Sequence, residues 1–214
     1  MTTHTIFLIR HGTTEWIEQG IMHGSLDSPL SEHGKWEAQQ TALALAGCNI
    51  THIYCSPQGR AMETANFLAQ KFPDATFTQL NGLKEMDLGK MEGKRDLSKK
   101  YKKYLFLSLI VLPIWFVTRG VSGEKQAHLK ERTAEAWTKI LAEKNEGNIA
   151  VVSHGIALNA LTSQIPFRDP SMRKKRQRFH TCSITQVEVD ETQQAMVTDI
   201  NNTTHLEKAS TYAN

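Results

Sequence analysis

Cysteine is scarce: Cys48, Cys55 and Cys182 are the only three in 214 residues. Three thiols without disulfide-framework or metal-ligand spacing exclude a disulfide scaffold and a zinc module, and fit a reducing, cytoplasmic compartment. No basic segment followed by a cleavable apolar one opens the chain, so no signal peptide is expected. No stretch reaches the roughly 20 apolar residues that span a bilayer; the run Leu105 to Val117 falls short. Ligand groupings such as His-Glu-x-x-His are missing among His4, His11, His23, His154 and His180, so neither a metal nor a cofactor is expected. Repeats and linkers are absent too. That leaves one domain over 1–200, carrying an insertion at 94–123, and a polar tail at 201–214 expected to fray.

What is present reads as an ordinary globular chain, 40% hydrophobic and 22% charged. A net charge of +3 mildly favours anionic partners. The basic cluster Arg173-Lys174-Lys175-Arg176 with Arg178 has no recognition motif or stacking platform beside it, so nucleic acid is not an expected partner.

Strand and helix patterns alternate along the chain. An apolar run, Ile6 to Ile9, stops at Arg10-His11-Gly12. Ser31 is placed to cap a helix from about Glu32 to Ala46. A strand at Thr51 to Cys55, a helix from about Gln58 to Lys71 and a strand at Thr76 to Leu80 follow. Asn81 to Gly93 reads as a loop. A helix from about Glu124 to Lys144 has Ala127, Leu129, Ala134, Trp137 and Leu141 as candidate inner residues. Strand, turn and helix recur over Ile149 to Ser163. A basic loop, Pro166 to Arg178, precedes a strand pair at Ser183 to Val189 and Met196 to Ile200. This order predicts an α/β layered fold with a largely parallel sheet, whose ligands collect beyond the carboxyl ends of the strands.

Three predicted strands end in polar chemistry: Arg10-His11-Gly12, Ser56-Pro57 ahead of Arg60, and Ser153-His154-Gly155. A neutral imidazole at His11 can attack phosphorus through one nitrogen while the other fixes the tautomer. Arg10 and Arg60 offer planar donors to phosphate oxygens, and Arg60 sits near a helix start. A protonated His154 would stabilise charge on a transferring phosphoryl group. Two histidines and two arginines can supply the electrostatic stabilisation that magnesium gives other phosphoryl-transfer enzymes. A leaving alkoxide needs a proton, and Glu85, Asp87 and Glu92 are all candidate donors by composition.

Taken together these residues resemble the histidine phosphatase superfamily, in the branch that includes cofactor-dependent phosphoglycerate mutases. The matching pieces are Leu8 to Trp16, Leu26 to Ser31 with Gly34, Cys55-Ser56-Pro57, Arg60, Thr64-Ala65, Leu83, Glu85, Leu88-Gly89 and Glu92-Gly93. Gly123-Glu124, Arg132, Val152 to Gly155 and Ser183 to Thr185 complete the series. The resemblance implies a three-layer α/β/α sandwich with a largely parallel, mixed sheet flanked by helices. It implies that His11 becomes a phosphohistidine, that Arg10, Arg60 and His154 hold the phosphate, and that Glu85 is the general acid and base. Thr14, His23 and Gly155 join the expected phosphate-binding set. Ile17 stands where an asparagine is usual, Gly20-Ile21-Met22-His23-Gly24 replaces Gly-Arg-x-Gln-Gly, and Lys125 replaces a serine. The expected activity is a phosphatase acting on a small phosphorylated substrate with an apolar part. The alternatives are mutase-type phosphoryl transfer and a non-catalytic phosphate- or membrane-binding module.

Lys99, Lys100, Lys102 and Lys103, interleaved with Tyr101 and Tyr104, precede the apolar run Leu105 to Val117. Basic and aromatic residues beside an apolar run make 99–117 a candidate membrane-surface contact. The same pattern fits a lid packed on its own domain or on a second subunit of an oligomer, or an apolar lid over the substrate.

Overall fold

The computed structural model describes residues 2–95, 123–142, 147–177 and 179–210. The insertion expected at 94–123, with its candidate membrane contact at 99–117, lies outside the described residues except at its two ends. Among the described residues no helix is long and apolar enough to cross a membrane.

Ile6, Leu8 and Ile9 are wholly buried and Phe7 nearly so, because strand β1 (Thr2–Arg10) has protein packed on both its faces. The other strands are β2 (Ile50–Cys55), β3 (Thr76–Gln79), β4 (Asn148–Ser153), β5 (Ile184–Asp190) and β6 (Ala195–Asn202). They form one six-stranded sheet in the order β3-β2-β4-β1-β5-β6. β3, β2, β4 and β1 run parallel, whereas β5 is antiparallel to β1 and β6 to β5. The sheet is therefore mixed and mostly parallel.

Among the described residues the α-helices are α1 (Glu15–Glu18), α2 (Glu32–Ala44), α3 (Gly59–Lys71), α4 (Gln126–Ala142), α5 (Gly155–Thr162) and α6 (Thr204–Ser210). Strand alternation splits the core in two. Ile6, Leu8, Ile149 and Val151 pack with Ala136 and Ile140 of α4 and Leu158 and Leu161 of α5. Phe7, Ile9, Ala150 and Val152 pack with Ala42 of α2 and Ala61, Ala65 and Leu68 of α3 on the other side. Each buried aliphatic side chain contributes about 1.5–3 kcal/mol, so the pattern commits both faces of the sheet to cover.

Most element boundaries match the sequence pattern. Ser31 caps α2, its Oγ accepting from Gly34 N at 3.1 Å. The buried stripe of α4 is Leu129, Thr133, Ala136 and Ile140, with Trp137 and Leu141 beside it. Ala127 is exposed, since it lies roughly 200° round the helix from Leu129.

Two segments differ from expectation. Within Pro166 to Arg178, Pro170–Gln177 winds into 3₁₀ turns, initiated by Asp169, whose carboxylate accepts from Ser171 N and Oγ at 2.8 and 2.6 Å. The tail begins as structure: β6 runs to Asn202, whose side chain accepts from Thr204 N at 3.0 Å and starts α6. Leu206 packs on Leu30, Ala38 and Cys182, and His205 Nε2 meets Thr41 Oγ1 at 3.1 Å. So short a polar helix owes its stability to that docking, which local sequence does not record.

Candidate active site

β1 and β4 are adjacent and parallel, with Arg10 opposite Ser153. The residues that follow, His11 and His154, therefore emerge side by side at the carboxyl edge, their ring centroids 5.1 Å apart. β2 lies on the far side of β4, and Ser56 N donates to Val152 O at 2.9 Å, which brings the end of β2 to the same edge. α3 starts there and carries Arg60 in its first turn.

His11 Nδ1 lies 2.8 Å from Gly12 O. A carbonyl only accepts, so Nδ1 carries the proton and Nε2 keeps its lone pair. Burial, and then the charges of Arg10, His154 and Arg60, push the His11 pKa well below its ordinary value, the Gly12 hydrogen bond opposing them. A neutral imidazole with a free Nε2 is a nucleophile. Gly12 N in turn donates to Thr64 Oγ1 at 3.0 Å, tying the turn to α3.

His154 is also driven well below its ordinary pKa, by burial first and then by Arg60 and Arg10. These surroundings favour the neutral ring, where the sequence pattern suggested a protonated one. Its Nε2 sits 2.7 Å from Ser56 Oγ.

Arg60 is fully buried. Its Nη1 donates to Leu26 O at 2.8 Å and Asp27 Oδ1 at 2.9 Å, and its Nη2 to Gly24 O at 3.0 Å. Arg10 Nη1 donates to Phe179 O at 2.6 Å. After these bonds three buried nitrogens of the cluster still have no hydrogen-bond partner among the described residues: Arg10 Nε, Arg60 Nε and His154 Nδ1. Orphaned buried donors are costly, at about 1–3 kcal/mol each. Three of them around one imidazole form a setting for an anion.

Glu85 follows the 3₁₀ turn Asn81–Leu83 and reaches the N-terminus of α5. Its Oε1 accepts from Met86 N and Ala157 N, both at 3.0 Å, and its Oε2 from Ile156 N at 3.1 Å. Its charge acts directly on Arg10. The other two loop acids turn elsewhere. Asp87 accepts from Gly89 N at 2.6 Å, and Glu92 accepts from Ser25 N and Leu88 N at 2.6 and 2.8 Å.

The remaining predicted residues join the same cluster. Gly155 lies against Arg10, whose Nε would stand 3.5 Å from a Cβ placed there. Thr14 caps α1 by accepting from Ile17 N at 3.1 Å, and its Oγ1 lies 2.9 Å from His23 Nε2. The His23 ring is 6.3 Å from that of His11 and 5.3 Å from that of Trp16. Burial and then Arg60 lower its pKa to about 4, so His23 is neutral as well.

Sequence reasoning assigned no role to several residues that hold the cluster. Asp27 pairs with Arg60. Gln58 Oε1 accepts from Glu85 N at 2.7 Å. Buried Glu37 accepts from Thr13 N at 2.7 Å and Thr181 Oγ1 at 2.8 Å. Of these, Asp27 carried a signal, as an acid opening the turn before Pro29; Glu37 sat unmarked inside a helix.

A nucleophilic imidazole, convergent unpaired donors and a carboxylate beyond one sheet edge are equipped for phosphoryl transfer. The family profile of the histidine phosphatase superfamily (branch 1) matches residues 6–203. The chain belongs to this superfamily. Among curated proteins, this superfamily member is 33% identical over 189 residues to a probable phosphoglycerate mutase, GpmB, of Salmonella arizonae, covering 88% of this chain and 86% of that one. Among solved structures, a phosphoglycerate mutase from Bacillus anthracis superposes with TM-score 0.78 at 23% identity, covering 96% of both chains. A phosphoserine phosphatase variant from Entamoeba histolytica, in complex with phosphoserine, superposes with TM-score 0.69 at 26% identity, over 95% of this chain and 99% of that one. The fold is phosphoglycerate mutase-like, and the superfamily implies a phosphorylated small-molecule substrate. Where this member departs from the usual motif, Ile21 bridges to Arg95, and Met22 N donates to Lys94 O at 3.0 Å.

Proposed function

We propose that the chain is a metal-independent phosphomonoester hydrolase that works through a phosphohistidine at His11. The observation that carries this reading is the trio of buried nitrogens without a partner among the described residues, on Arg10, Arg60 and His154, around an imidazole whose tautomer leaves Nε2 free. In the first step His11 Nε2 bonds to phosphorus as the ester P–O bond breaks, and the departing oxygen takes a proton from Glu85. In the second, the Glu85 carboxylate takes a proton from water as the water oxygen bonds to phosphorus, releasing phosphate and restoring His11. Arg10, Arg60 and His154 stabilise the equatorial oxygens throughout, with Thr14, His23 and Gly155 lining the same site. The likeness to the phosphoserine phosphatase supports hydrolysis of a small phosphomonoester. Ile17 and Ile21 in place of polar residues, with Met22 next to them and Trp16 beside His23, support a leaving group with an apolar part.

The probable mutase relatives favour a second reading, transfer of the phosphoryl group between hydroxyls of one acid. A panel of phosphomonoesters, from sugar phosphates to lipid-like esters, assayed with excess chelator separates the two. Hydrolysis predicts inorganic phosphate from several esters and no interconversion of phosphoglycerates. His11→Ala is expected to lower turnover at least about a thousandfold. Strict metal dependence, or full activity in that variant, contradicts the mechanism.

A further inference from the structure

We propose that Arg132, with Glu124, is a positioning residue for the carboxylate of Glu85. This rests on the reading of Glu85 as general acid and base. Glu85 stands in a segment of irregular backbone, where nothing in a regular ladder fixes its height or angle. Side chains do so instead: Gln58 Oε1 accepts from Glu85 N at 2.7 Å and Ser153 Oγ donates to Leu83 O at 2.7 Å, and one guanidinium takes the carbonyls on the α4 side. Arg132 Nη1 donates to Gly82 O at 2.9 Å and Lys84 O at 2.7 Å, and Nη2 donates to Glu85 O at 3.2 Å. The two remaining N–H groups, on Nε and Nη2, go to the Glu124 carboxylate at 2.6 and 2.7 Å. An arginine has five N–H donors in a planar fork. Here all five are used, three on loop carbonyls on one side and two on a half-buried carboxylate on the other.

The approach is close. A Cβ at Gly82 would stand 2.5 Å from Arg132 O and 2.8 Å from Ala136 Cβ, so the loop lies directly on α4. With its backbone bolted to α4, the Glu85 side chain reaches α5, where Ile156 N and Ala157 N donate to its oxygens. The carboxylate is thus held between two helices. Arg132 touches the carbonyls on the loop's other side and donates to the main chain of Glu85, never to its side chain. Lysine at this position would offer three donors on a single atom and could not serve five separated acceptors.

A positioning role predicts a selective defect. A proton donor matters for a poor leaving group and hardly at all for a good one, so misplacing Glu85 should cost in proportion to leaving-group basicity. The test measures kcat/KM across a series from 2,4-dinitrophenyl phosphate through phenyl phosphate to an alkyl phosphate. It compares wild type, Glu85→Gln, Arg132→Gln, Arg132→Lys and Glu124→Gln, each checked for folding by its urea midpoint. Glu85→Gln is expected to lose about a hundredfold or more on the alkyl ester and little on the dinitrophenyl ester. Arg132→Gln is expected to follow the same trend, with about a ten- to hundredfold loss on the alkyl ester and less than about threefold on the activated one. Arg132→Lys should not restore the slope, and Glu124→Gln, which keeps the shape of the clamp, should give the same trend more weakly. If Glu85→Gln steepens the dependence while the folded Arg132 and Glu124 variants fall equally on every ester or not at all, the assignment of Arg132 is overturned alone. If wild type hydrolyses none of the series, or Glu85→Gln leaves the slope unchanged, the reading of Glu85 fails and the assignment fails with it.

Discussion

Ser56 decides which nitrogen of His154 carries a proton. Its Oγ is fully buried, accepts from Gln58 N at 3.3 Å and lies 2.7 Å from His154 Nε2. With that amide already donating to it, the hydroxyl proton has His154 Nε2 as its acceptor. The neutral ring then holds its own proton on Nδ1, the atom with no partner among the described residues. His154 can therefore donate a hydrogen bond to phosphate without first becoming charged, which suits surroundings that resist its protonation. Ser56→Ala removes the reason for that tautomer. Imidazole ¹⁵N spectra of the free protein should show an Nδ1-protonated His154 in wild type and a mixture in the variant. kcat/KM for a phosphomonoester should fall about tenfold, the worth of one buried hydrogen bond. A pure Nδ1–H form in Ser56→Ala would sink the idea.

Among the elements, the pairing of α2 with the turn after β1 sets the position of His11. A Cβ on Gly34 would stand 1.8 Å from Thr13 O, and one on Gly12 would stand 2.6 Å from Gly34 O. Two glycines thus let the first turn of α2 meet the backbone that follows His11, where Ser31 N also donates to Thr13 O at 3.0 Å. Gly34→Ala must push that backbone away. We expect it to cost about 1–3 kcal/mol in urea unfolding and to lower kcat/KM beyond what its stability explains, because Gly12 O fixes the His11 tautomer. Unchanged activity in a folded Gly34→Ala protein would refute the coupling. These elements also mark how far the sequence could be read. The apolar run into Arg10-His11-Gly12, the Ser31 cap and the second His-Gly after Val152 are local signals, and they delivered the sheet edge and both imidazoles. α6 was missed because its hold is tertiary, through Leu206 and His205. The Arg132 clamp was invisible for the same reason: its acceptors lie about 50 residues upstream in a loop whose fold no periodicity announces. Glu85 could be told from Asp87 and Glu92 by family likeness, but its physical distinction, contact with the start of α5, needed coordinates.

For the whole molecule, the site gathers positive groups that folding keeps dry. Arg60 is buried and Arg10 half-buried beside three imidazoles, and His11, His23 and His154 are all held below their ordinary pKa of 6.5, burial being the largest cause for each. In the folded protein these rings are neutral; in the unfolded chain they titrate near 6.5. Between those two pKa values the unfolded chain binds more protons, so stability is fully present above about pH 6.5 and is lost as pH falls below it. For His23 the window closes at about 4, where the folded protein also takes up its proton. His23→Gln keeps a polar side chain and removes that titration. The slope of unfolding free energy against pH, measured between about 6.5 and 4, should therefore fall in the variant by up to one bound proton relative to wild type. Vanadate offers a second check on the same charge balance. An anion bound among Arg10, Arg60 and His154 opposes their repulsion of a protonated ring, so it should stabilise the protein by about 2.7 kcal/mol at a hundredfold excess over its Kd. It should also flatten the acid loss, because the folded imidazoles then accept protons more readily. Equal pH slopes in wild type and His23→Gln would mean that His23 titrates alike folded and unfolded and takes no part in the acid loss.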